Sequence, residues 1–167
     1  MGAEASAAAE PAGASGPLGD ENIFALLEQA NRAQVENGRL AERRAPSADV
    51  KAYARDMVRE HAALQDRADA LARTLAVIPQ LPLNDAGGLE AAATRTTLGS
   101  VSGADFDRAY VASEVDDHER TLQLLQRART AAEHAELRAL IDSAIPTVRS
   151  HLGRAKKLQD RVGAPTS

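Results

Sequence analysis

The chain has 167 residues with 20 basic and 24 acidic side chains interspersed along it, a net charge of −4, and no cysteine. This excludes disulfide frameworks, thiolate metal sites and cysteine nucleophiles, and it argues against nucleic-acid or anionic-membrane partners, which need a basic patch. With two Phe, two Tyr and no Trp, any core must be built from Ala, Leu, Val and Ile, which favours closely packed helices over a sheet.

In chain order, residues 1–19 are rich in Ala, Gly, Ser and Pro and read as a flexible tether. They lack the basic and apolar regions of a signal peptide. A first helix is expected from Glu21 to Ala45, its inward line interrupted by Gln34 and Asn37, with Gly38 admitting a close neighbour and Pro46 ending it. A second runs from Ala48 to Leu75 behind a Ser47 N-cap, and its apolar line is broken only by His61. The connection between them is short enough to force an antiparallel pair.

Residues 76–103 carry two prolines and a Gly-Gly, with a short helix over Leu89–Leu98. A segment of this length can cross a bundle end to end, ~40 Å at 1.5 Å per helical residue. Ser102 and Asp105 form an S-x-x-D capping box for the third long helix. That helix places Phe106, Tyr110, Glu114, His118 and Leu125 on one inward line. A weakly marked turn over Ala131–Glu136, with His134 exposed in it, leads to a fourth long helix, Ala135 to Val162, with His151 on its apolar line and Pro146 kinking it. The domain is bounded as 20–163, with 164–167 as a tail. No run of ~18 apolar residues spans a membrane.

Burying a carboxylate and an imidazole costs several kcal/mol unless they are paired, hydrogen-bonded or bound to a cation. His61, His118 and His151 each lie ~20–24 Å along a different helix. Midpoints stay level in parallel and antiparallel neighbours alike, so the three rings are expected at one height, with Gln34 level and Glu114 one turn from His118. Two readings follow. In the first, His61, His118, His151 and Glu114 hold one Zn, Cu, Fe or Mn ion, for buffering or stress resistance. In the second, the same groups form a hydrogen-bonded polar core without metal, in a structural or stress-related bundle. The glutamate that would precede each histidine by three residues in a di-iron centre is replaced by Val58 and Val148. Acidic neighbours such as Glu60 and Asp117 belong to a solvated face or orient the imidazoles. Catalysis, as a metal-dependent oxidoreductase, would need an open coordination position and a route to it. No nucleophile–base pairing points to another enzyme class, and no surface patch decides the oligomeric state.

The segments MVREHAAL, SGADFDRAYVASEVDDHE, IPTVRSHL and VENGRLAERRA resemble the domain-of-unknown-function family numbered 4142, over residues 20–160. That family is often labelled an outer membrane protein and is grouped with ferritin-like proteins. The resemblance implies an all-α, ferritin-like four-helix bundle with a long crossover between helices 2 and 3 containing a short extra helix. It also implies a bacterial protein of the periplasm or cell surface, with no settled activity. The family's recurring histidines map onto His61, His118 and His151. Two positions depart from it: Gln34 stands where Glu is common on helix one, and Glu114 where Gln is common on helix three. Nothing in the residues supports a barrel, since alternation is absent.

Overall fold

The structure is a computed structural model that describes residues 18–163; the expected tether lies almost wholly outside them, as does the 164–167 tail. Five helices are described: α1 (Asp20–Arg44), α2 (Ala48–Thr74), α3 (Gly87–Ser100), α4 (Gly103–Ala131) and α5 (Ala135–Val162), with no strand among the described residues. Helices α1 and α2 pack as one hairpin and α4 and α5 as another. α3 is the short helix of the crossover. No described helix is long and apolar enough to cross a membrane.

Two apolar clusters fix the chain directions. One gathers Ala41 and Ala45 from the end of α1, Val50, Tyr53 and Met57 from the start of α2, Phe106 and Tyr110 from the start of α4, and Leu158 from the end of α5. The other joins Ile23 and Phe24, Ala68 and Ala72, Leu125 and Ala128, and Leu137, from the opposite ends of the same four helices. α2 therefore ends where α4 does, and the connection between them must traverse the bundle. It does so along α1. Asn22 Nδ2 donates to Gln80 O (2.9 Å), Gln29 Nε2 to Asp85 Oδ2 (2.9 Å), and Arg44 to the carbonyls of Leu98 (2.8 Å) and Val101 (2.6 Å). The crossover is thus pinned by polar contacts more than by packing: α3 buries only Leu98.

Local chemistry explains most boundaries. Ser47 Oγ accepts from the Val50 N–H at 3.4 Å and caps α2. At Gly38 an added Cβ would lie 2.8 Å from Val58 Cγ2 and 3.1 Å from the Ala54 carbonyl, so only glycine permits this α1–α2 approach. The helix after Ser102 begins as expected, but the capping box does not form. Ser102 makes no side-chain cap bond, and Gly103 enters the helix from the left-handed region (φ 58°). Asp105 instead pairs with Arg108 at 2.5 Å.

The α4–α5 turn, poorly marked in the sequence, is set by a residue far away in the chain. The buried Asp20 carboxylate accepts from the N–H groups of Glu133 (2.8 Å) and His134 (3.1 Å) and from the His134 ring at 2.5 Å. It thereby satisfies donors at the head of α5, as an N-cap side chain would. Burial alone would raise its pKa, but these donors hold it below the usual carboxylate value. His134 is partly exposed as well as bonded. α5 runs unbroken through Pro146.

Candidate metal centre

Between the two apolar clusters lies a polar layer. His61, His118 and His151 are each 1–2% exposed, and their ring centroids are 5.1–5.4 Å apart. One ring nitrogen from each lies within 4.8 Å of the other two. Three separate helices contribute them, from positions near their midpoints, as the spacing predicts.

Which nitrogens carry protons follows from their partners. The Asp69 carboxylate only accepts, so the Gln65 nitrogen must face it (2.6 Å). Gln65 Oε1 then accepts from Asn31 Nδ2 (3.2 Å), which turns Asn31 Oδ1 toward His61 Nδ1 (2.9 Å). His61 is therefore protonated on Nδ1 and bare on Nε2. His118 Nδ1 lies 2.7 Å from the Glu114 carbonyl, which also only accepts, so His118 is bare on Nε2. His151 Nε2 donates to Glu60 Oε2 at 2.6 Å, and its buried Nδ1 has no partner at all. The two bare Nε2 atoms of His61 and His118 face each other at 3.3 Å. Two lone pairs thus meet and a third, on His151 Nδ1, is buried in the same cluster without a partner, while every opposite ring nitrogen is held by an oxygen. That outer set of acceptors is what fixes imidazoles as metal ligands.

Electrostatics keep the rings neutral and ready to bind. Burial pushes His118 down to about 4, against its hydrogen bond to the Glu114 carbonyl, and burial followed by the neighbouring rings pushes His61 well down. Burial lowers His151 too, against the pull of Glu60. Nitrogens sharing an ion at ~2.0–2.1 Å stand ~3.3–3.6 Å apart in tetrahedral or trigonal sites. The His61–His118 pair already meets that spacing, and the orphaned His151 Nδ1 supplies the third donor. The residues fit a transition-metal ion.

Glu114, the fourth expected ligand, stands elsewhere. It is fully buried, but its Oε2 sits on the Nδ1 side of His118, 3.7 Å from that nitrogen and behind the ring rather than in front of it. The Tyr53 hydroxyl lies 3.3 Å from Oε2, and Tyr110 faces the same carboxyl without a well-formed hydrogen bond. The Gln34 carboxamide completes the cluster at 2.9 and 3.1 Å from the two carboxyl oxygens. With its nitrogen inward it donates to Glu114; with its oxygen inward it accepts a carboxylic proton while the nitrogen donates to Asp117 Oδ2 at 3.4 Å. Gln34 and Glu114 therefore touch and form one carboxyl–carboxamide pair.

Burial, then the Asp117 charge, raises the Glu114 pKa well above the usual value, against the tyrosines. The folded state thus keeps a proton that the unfolded chain loses above pH ~4.5, and this costs stability as pH rises. Glu114→Gln is expected to stabilise the protein by about 1–3 kcal/mol at pH 7.5 and by almost nothing at pH 4. Urea unfolding at both values measures this; equal effects at both would contradict it.

Sequence reasoning missed Asn31. It stands three residues before Gln34 and six before Asn37 on α1, and all three are buried. That carboxamide repeat was the available signal. Glu60, weighed only as one of several acidic neighbours, is the group that orients His151.

The chain belongs to the family described as a domain of unknown function, DUF4142, whose model matches residues 3–158. Among curated proteins no sequence matches it. Among solved structures it is similar to CopM in its Cu(II)-bound form, with a TM-score of 0.68 at 14% identity, covering 86% of this chain and 98% of that one. CopM in its Cu(I)-bound form gives 0.70 at 14% identity, over 87% and 98%. A DUF305 protein from Streptomyces coelicolor, described as secreted, gives 0.73 at 14% identity, over 89% and 97%. At such identities the likeness is one of fold: an all-helical bundle.

Proposed function

We propose that this protein binds one copper ion per chain through His61 Nε2, His118 Nε2 and His151 Nδ1, and buffers copper outside the cytoplasm. The observation that carries the reading is the convergence of three unprotonated, buried imidazole nitrogens whose opposite nitrogens are all anchored. Lone pairs forced together in a dry site repel one another until a cation joins them.

Imidazole ligands suit Zn, Cu, Fe and Ni, and copper heads the divalent affinity order. Three neutral donors with Glu60 as the nearby charge favour an ion of low charge, which Cu(I) supplies at smaller desolvation cost than a divalent ion. The copper- and silver-bound states of the similarly folded CopM, and the DUF305 neighbour described as secreted, support this choice of ion and compartment. Glu114 acts from behind His118 as a hydrogen-bonding support, not as a ligand. Binding is the role in this proposal; no substrate group is involved.

Copper titration of chelated, tag-free protein tests it. One ion per chain is expected for the wild type and for Glu114→Gln, and none at comparable affinity for His61→Ala, His118→Ala or His151→Ala. Copper bound equally well by all three alanine variants would overturn the assignment.

A further inference from the structure

The three rings are closed off from solvent, so any ion needs a passage to them. On the α2–α5 face the way is obstructed. There His151 presents its N–H edge, not its lone pair, to Glu60. The Arg59 and Arg154 guanidiniums lie over that face, paired with Asp56 and Glu60.

The opposite side is different. A cleft of about 360 Å³ opens between α1, the crossover and α4; its wall includes the buried Gln34 and three carboxylates, Asp85, Glu90 and Asp117, against two guanidiniums, Arg120, which pairs with Glu90 and Asp117, and Arg127. Ala30 and Thr121 form part of this wall. The same two residues line a second, smaller pocket of about 30 Å³, whose lining also includes Asn31 and His61. That pocket is large enough to hold a water molecule. A methyl group and a short hydroxylated side chain are therefore common to the wall of the solvent cleft and to the space beside His61.

We propose that this cleft is the passage by which the cation reaches the histidines, crossing the α1–α4 seam at Ala30 and Thr121. The inference rests on the copper reading above. Asp117, in the cleft wall and paired with Arg120, leaves the ion a carboxylate to meet when that pair opens; the Gln34 and Asn31 carboxamides and the Thr121 hydroxyl offer oxygens as its water is shed. The crossover can lift away because α3 is held by polar contacts and one buried leucine.

Stopped-flow absorbance with Cu(II) alone, followed by release to a chelator, tests the route. Ala30→Leu fills the gap without replacing a ligand. It is expected to slow uptake and release alike by about tenfold or more, leaving the one-to-one stoichiometry and the Kd unchanged, because a blocked path alters rates and not equilibrium. Asp117→Asn, in the cleft wall, is expected to slow uptake by about threefold or more through the lost field, and it carries the test if Ala30→Leu does not fold. Asp56→Asn, on the far face, is expected to exchange copper as the wild type does. Wild-type rates in both cleft variants, or slowing confined to Asp56→Asn, would overturn the route. A wild type that takes up neither Cu(II) nor Cu(I) would overturn the histidine centre itself, which the titration above detects separately.

Discussion

Copper at a hundredfold excess over its Kd is expected to raise the melting temperature of the wild-type protein by about 5–11 °C and that of His118→Ala not at all. The magnitude follows from linkage: an ion that binds only the folded state adds ~2.7 kcal/mol at that excess, and a chain of this size gains roughly 2–4 °C per kcal/mol. His118 is the sharpest position because its bare Nε2 faces that of His61 at 3.3 Å, at the heart of the proposed ligand set. The metal-free His118→Ala protein is expected to lose about 1–3 kcal/mol through the cavity left by the ring, while relieving the lone-pair contact. The two effects separate in one experiment: the first vanishes with chelator and the second does not. Thermal unfolding with and without copper, in both proteins, reads them. A His118→Ala protein stabilised by copper as much as the wild type would contradict the account.

The second large effect is with acid. Each of the three core histidines has a folded pKa below its ordinary 6.5. The unfolded chain therefore binds more protons than the folded one between pH 6.5 and the folded values. Their contribution to stability is complete above 6.5 and is lost as pH falls through that window. For His118, held at about 4, the loss is on the order of 3 kcal/mol. Glu114 titrates in the opposite sense, so the slope is cleanest in Glu114→Gln. Asp20, held low, adds its own loss only below its ordinary value of 3.8. Metal-free Glu114→Gln is expected to lose stability steeply from pH 6.5 to 4, and copper to be released only toward the acid end of that range, where folded His118 starts to take up its proton. Urea midpoints across this range measure the first and chelator-free dialysis the second. A flat stability profile would mean that the rings are already charged, and hence not a lone-pair trap.

The sequence carried the architecture because the strongest signals in it are local. Pro46 and Ser47 bracket the α1–α2 turn, and α5 begins and ends where its apolar periodicity does. The level of the histidines was legible for a geometric reason: helix midpoints align whichever way the helices run. What stayed hidden depends on contacts between distant residues. The Asp20 carboxylate sets the α4–α5 turn across 114 residues, which no local pattern announces. Glu114 shares the inward line with His118, but side chains on a helix tilt toward its N-terminus. Its carboxyl is accordingly carried toward Tyr53 and Tyr110, away from the space the rings enclose. The chain Asp69–Gln65–Asn31 that fixes the His61 proton spans two helices, so only the packed structure discloses it.

The central claim is that three bare imidazole nitrogens form a single cation site, and an anomalous difference map from copper-soaked crystals tests it most directly. One peak per chain is expected inside the triangle of His61 Nε2, His118 Nε2 and His151 Nδ1, with Glu114 outside bonding distance. Ordered copper found only elsewhere, for instance at the partly exposed His134 beside Asp20, with the triangle empty, would contradict it.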